Sequence, residues 1–170
     1  MRSGSVIVRA AALLLLVAAT GYALRVTLLP LRCERAASLG AAALQASEQK
    51  SDYAKRRVAE SVRADLRGCE CVSPPDVEVF FTLAGASSAL GDARATVAYC
   101  RRALAIERRP EIYFALGLAQ LDALDRPGAI DSLTRACAFD PKRLADIPYD
   151  DVREETKRRI AMTQGADWLH

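Results

Sequence analysis

The reactive side chains of this 170-residue protein are chiefly five cysteines: Cys33, Cys69, Cys71, Cys100 and Cys137. Cys69 and Cys71 flank Glu70, and a close thiol pair can do redox work or hold a metal. A zinc site needs a second pair, or histidines, at regular spacing. Neither is present, because the single His is His170 at the last position. The same scarcity excludes a His-based triad and most imidazole acid–base chemistry. A bridge between Cys69 and Cys71 would be strained, so in an oxidising compartment Cys33 is expected to pair with either Cys69 or Cys71. Cys100 and Cys137 stand among apolar neighbours and read as buried thiols. Serines and aspartates are scattered, with neither a G-x-S-x-G elbow nor a glycine-rich phosphate loop. Asp150-Asp151 and Glu154-Glu155 are paired acids, but they fall where a helix should begin and where carboxylates favour its dipole. The expectation is a non-enzyme with no catalytic residue, no metal site and no cofactor.

The elements that must position these groups are helical. Ala and Leu, 32 and 21 residues, make up nearly a third of the chain, while aromatics are 6%. That composition suits closely packed helices and disfavours a β-sandwich. The formal charge of +3 is concentrated at the start. Residues 1–35 hold Arg2, Arg9, Arg25, Arg32 and Arg35 against Glu34, and the remainder is close to neutral. A nucleic-acid binder should carry its positive field on the folded body, so no nucleic-acid partner is expected.

Residues 10–24, AAALLLLVAATGYAL, follow the basic start MRSGSVIVR. A secretory signal has this form, and Gly21 and Ala23 would suit cleavage after Ala23. An uncleaved anchor needs roughly 20 apolar residues, which Val6–Leu31 supplies if Arg9 and Arg25 snorkel to opposite headgroup layers. The apolar character continues through Leu31, past any cut, and favours the anchor. Lipidation of Cys33 is disfavoured because Arg32, not a small residue, precedes it. The expected arrangement is a single-pass membrane protein, in the bilayer through residues 6–31, with its body exported to the periplasmic side.

The body repeats itself with a period of 33 residues. Residues 77–109 align with 110–142: Phe80 faces Tyr113, Phe81 faces Phe114, Leu83 faces Leu116, Ala84 faces Gly117 and Ile106 faces Phe139. Gly91-Asp92 and Asp125-Arg126-Pro127 supply an interior turn in each copy, so each reads as two antiparallel helices. Tyr113, Leu116-Gly117, Ala129, Ala136 and Pro141 stand at the offsets of a tetratricopeptide repeat, and the second copy resembles that family. The first copy matches through Phe80, Leu83-Ala84, Gly91, Ala103 and Leu104, with Thr96 and Arg108 where the family has Ala and Pro. Residues 33–68 read as a helical pair, a degenerate first repeat with its own Leu39-Gly40. Residues 69–76 form a Cys/Pro loop, and 143–170 an end helix and tail, after an anchor or signal segment over 1–32.

The resemblance implies an all-α fold, a stack of antiparallel helix pairs (an α-solenoid) behind an N-terminal transmembrane helix. It also implies a concave groove lined by the first helix of each pair. The family offsets put Glu78, Phe81, Gly85 and Ser88 there from one pair, and Glu111, Phe114, Leu118 and Leu121 from the next. Relatives that clamp a peptide carboxylate use Lys and Asn at such positions; this chain has apolar residues instead. The expected function is a membrane-tethered, non-catalytic interaction scaffold for protein partners of the bacterial envelope. The alternatives are an accessory subunit of one membrane complex, and a thiol redox protein using Cys69 and Cys71.

Overall fold

A computed structural model describes residues 3–166. Among them the chain is all helical, with no strand. Seven α-helices follow in order: α1 (Ser3–Ser47), α2 (Asp52–Asp65), α3 (Val77–Ala89), α4 (Ala93–Ile106), α5 (Pro110–Asp122), α6 (Arg126–Phe139) and α7 (Asp150–Ala166). Two 3₁₀ turns, Cys69–Cys71 and Pro141–Asp146, interrupt the sequence of α-helices. Val77–Phe81, a short β-branched and aromatic run, belongs to α3, as its continuation through Leu83 and Ala84 requires.

The turns follow from local chemistry. α3 ends as Gly91 takes a left-handed φ of 76°, which costs glycine little. The Asp92 N–H then donates back to the Ser87 carbonyl at 2.9 Å, and the Asp92 carboxylate accepts from the Ala95 N–H, capping α4. Asp125 repeats the cap by accepting from Gly128 N–H. In that turn the left-handed residue is Leu124, at φ 63°.

α1 differs from the expected organisation. A boundary near residue 32 would separate an anchor from a helical pair, but α1 runs unbroken from Ser3 to Ser47 with Pro30 inside it. Its upper part belongs to the body: Cys33, Ala37, Gly40 and Ser47 are buried. Its lower part, from Leu15, exposes Leu15, Leu16, Val17 and Tyr22. This helix is long and apolar enough to cross a membrane, the same property that a signal sequence has.

Three apolar clusters hold the body together. In the first, α1, α2 and α3 meet through Ala37, Ala59, Val62, Leu66, Val79 and Leu83. Gly40 makes this approach possible, since a Cβ there would lie 2.9 Å from Val62 Cγ1 and 3.2 Å from Thr82 Cγ2. Thr82 Oγ1 also donates to the Ala37 carbonyl at 3.3 Å. The second joins α3, α4 and α5 through Phe80, Ala84, Cys100, Ala103, Ile112 and Leu116. The third joins α5, α6 and α7 through Phe114, Ile130, Leu133, Ile147 and Val152. Each fully buried Leu, Ile or Val contributes about 1.5–3 kcal/mol relative to exposure. α7 turns Val152 and Thr156 inward and keeps its charges outside, as an end helix should.

Candidate functional site

A concavity lies between α1, α3 and α5. It is an open cleft of about 670 Å³ with Leu44, Phe81, Gly85, Ala115 and Leu118 along its floor and Ser88 beside them. Small residues set its depth. A Cβ at Gly85 would touch Leu44 Cδ1 at 3.5 Å, an ordinary contact, so a larger side chain there would fill space rather than clash with backbone. Glu48, Lys55, Glu78 and Asp122 stand around it.

Electrostatically the rim is mixed. Glu78 Oε1 accepts from Arg109 at 2.5 Å, and Arg109 also donates to Glu107. Those hydrogen bonds raise the Arg109 guanidinium, and the one from Arg109 holds the Glu107 carboxyl below its ordinary range. Glu78 therefore borders the cleft as the partner of an ion pair with Arg109. Lys55 pairs with Asp52 at 3.6 Å outside it. An apolar floor with a partly compensated rim can hold an apolar segment of a partner by burial.

The residues expected in a groove divide in two. Glu78, Phe81, Gly85, Ser88 and Leu118 line the cleft together. Phe114 does not. Its ring is 9% exposed and packs with Ile130, Leu133 and Ile147, while the Arg143 guanidinium covers it 5.4 Å from the ring centre. Leu121 packs against that same cluster, and Glu111, in the first turn of α5, stands outside the cleft. The reason is the chain beyond α6. The 3₁₀ turn Pro141–Asp146 and Ile147 fold back over the face where an exposed Phe114 would have been. Sequence reasoning also missed Leu44, which supplies the cleft's third wall from α1.

The cysteines separate cleanly. Cys33 and Cys69 form a disulfide with a Cα–Cα distance of 5.6 Å, which ties α1 to the first 3₁₀ turn. Cys71 is a free, exposed thiol. Cys100 and Cys137 are free and buried, and burial pushes their thiols up to about 12 and about 11. No group of three or more His, Cys, Asp or Glu able to hold a metal occurs among the described residues.

The chain matches no protein-family model, no curated protein and no solved structure.

Proposed function

We propose that this protein is a membrane-tethered, tetratricopeptide-like interaction scaffold without catalytic activity, its body exported and its α1 retained as an anchor. The observation that carries the reading is the open apolar cleft between α1, α3 and α5. Two of its floor residues, Phe81 and Leu118, fall on the surface that the resemblance assigns to ligands. The Cys33–Cys69 disulfide supports the exported body, because such bonds persist in oxidising compartments. A partner would lay an apolar helix or extended segment along Leu44, Phe81 and Leu118, with Ser88 and the rim charges fixing its direction. Phe114, Glu111 and Leu121 have no part in this groove.

Photo-crosslinkers placed at Phe81 and Leu118 in intact membranes test the proposal. They should give discrete adducts that Gly85→Trp, which fills the cleft, abolishes. Adducts no more abundant than those from the exposed Met162 on α7, outside the cleft, or unaffected by Gly85→Trp, would refute the groove. The anchor has its own measurement: the intact mass should include residues 1–23 and carbonate washing should leave the protein in the membrane. A mature N-terminus at Leu24 would instead make the segment a signal.

A further inference from the structure

The continuity of α1 says which end of the body faces the bilayer. Helix polarity can be followed from contacts. Thr82 bonds to Ala37 and Gly85 abuts Leu44, so α3 runs parallel to the upper part of α1, away from the apolar segment. α4 runs back, and its last residue, Ile106, shares a cleft with Pro30 and Cys33 of α1 and with Pro74 and Pro75. α5 leaves again and α6 returns, as Arg135 near the end of α6 lies 5.8 Å above Tyr113 near the start of α5. The last residue of α6, Phe139, is therefore at the same end as Ile106.

That end is apolar where a water-facing end has no reason to be. Ile106 is 40% and Phe139 73% exposed, and Pro74 and Pro75 are exposed beside them. On α1, Leu28 and Leu31 are exposed immediately below. The same end carries Arg32, Arg35, Arg67 and Arg108, all exposed and in no ion pair among the described residues. Of the acids there, Glu70 is held by Arg102, Glu107 by Arg109 and Asp140 by Arg143, while Glu34, Asp65, Asp76 and Glu111 are in no ion pair among the described residues. Apolar tips ringed by charges of both signs suit a surface that enters a headgroup layer.

We infer that this end of the body, with Pro74, Pro75, Ile106 and Phe139 at its tips, rests in the headgroup layer of the membrane that α1 enters. The occupant follows from continuity, because Pro30 is both a wall of the cleft beside Ile106 and the upper limit of the apolar segment. The inference rests on the reading of α1 as a retained span. It adds that the body lies down on the lipid surface instead of standing off on a stalk.

The test uses the full chain with Trp168→Phe, which removes the single tryptophan. One tryptophan is then returned at Ile106→Trp, Phe139→Trp or Leu124→Trp, the last at an exposed site on the opposite end. The variants are reconstituted in vesicles of phosphatidylcholine containing lipids spin-labelled at the headgroup. Tryptophan at 106 and at 139 should be quenched several-fold more than at 124. If either is quenched no more than 124, the inference is wrong. Carbonate washing of the same vesicles keeps the two readings apart: release of the protein defeats the span itself, whereas retained protein without quenching defeats only the resting body.

Discussion

Gly117→Ala is the smallest change that tests how the body is packed. A Cβ at Gly117 would lie 2.6 Å from Leu133 Cγ, 2.9 Å from Leu133 Cδ2 and 3.2 Å from the Ala129 carbonyl oxygen. Carbon atoms prefer about 3.5–4.0 Å, so something must move by roughly an ångström. Leu133 has no room to yield, being fully buried. Nor can α6 shift along that contact without carrying the Ala129 carbonyl with it. Overpacking of this kind costs about 1–3 kcal/mol. Alanine gains about 1 kcal/mol of helix propensity over glycine. Pressing on both a fully buried Leu133 and a backbone carbonyl belongs to the upper part of that range, about 2–3 kcal/mol, so packing wins and the net loss should be about 1–2 kcal/mol. Urea unfolding of the full chain in detergent, followed by far-UV circular dichroism, should show the midpoint falling by ~0.5–1 M with unchanged slope. Gly85→Ala is the control, since its Cβ would meet only Leu44 at 3.5 Å. That variant should gain about 0.5–1 kcal/mol from helix propensity alone. A Gly117→Ala midpoint equal to or above wild type would refute the close contact between α5 and α6.

Phe114→Ala should cost about 3–5 kcal/mol of folding, as a buried ring does, whereas Phe81→Ala, half-buried at the cleft, should cost less than half as much in the same urea assay. Leu124 holds a left-handed φ of 63° with its side chain in water. Leu124→Gly should therefore stabilise the fold by about 0.5–1 kcal/mol, read as a higher urea midpoint, since a non-glycine residue in that region costs roughly 1–2 kcal/mol and the added chain entropy of glycine returns part of it. Alkylation without reductant, read by peptide mass, should label Cys71 and spare Cys33 and Cys69; native membranes in which all five thiols react would remove the bridge. The buried thiols fix a pH dependence. Their folded values, about 12 for Cys100 and about 11 for Cys137, lie above the roughly 8.5 of an exposed thiol. The unfolded chain thus loses its protons first as pH rises. This contribution is intact below about pH 8.5 and is lost as pH climbs toward the folded values. Relative to Cys100→Ala, the wild type should lose on the order of 2 kcal/mol between about pH 8 and pH 10.5, and parallel profiles would refute the burial.

The helices and their turns were legible because they rest on local chemistry. Gly91-Asp92 and Asp125 predict their turns by what glycine and a carboxylate do to a helix end, and the caps form with those atoms. Spacing alone puts Val152, Thr156, Ile160 and Thr163 on one face of α7; the first three pack inward, while Thr163 is exposed. The fate of the aromatics was not legible. Phe81 and Phe114 occupy the same offset, yet one borders a cleft and the other is core. The difference lies in residues distant in sequence: Arg143 and Ile147 come back over Phe114 after α6 has ended. No periodicity carries that information, since the segment from Asp140 to Tyr149 has none. Leu44 escaped for a related reason. Its role at the cleft depends on how α1 is inclined to α3, which Gly40 sets through contacts with Val62 and Thr82.

The unbroken α1 links the two surfaces proposed for this chain. Leu44, at the cleft, and Leu31, at the end of the apolar run, lie on one helix, 13 residues apart by their numbers. At about 1.5 Å per residue the cleft is roughly 20 Å along the helix from the point where the apolar run stops. A flexible link would let the groove adopt any height, but here the Cys33–Cys69 bond and the Ala37–Thr82 hydrogen bond fasten that stretch of helix to the body. With α1 retained as a span, the cleft is then held at one distance from the lipid, and a resting body would fix its direction as well. A partner segment emerging from the same bilayer would need about 6 extended residues, or about 13 helical ones, to reach Phe81. Segments closer to the membrane would meet the proline and isoleucine tips instead of the groove. The geometry thus favours partners whose apolar segment begins a fixed distance beyond their own span, a selectivity that the groove's shallow floor could not supply by contact alone.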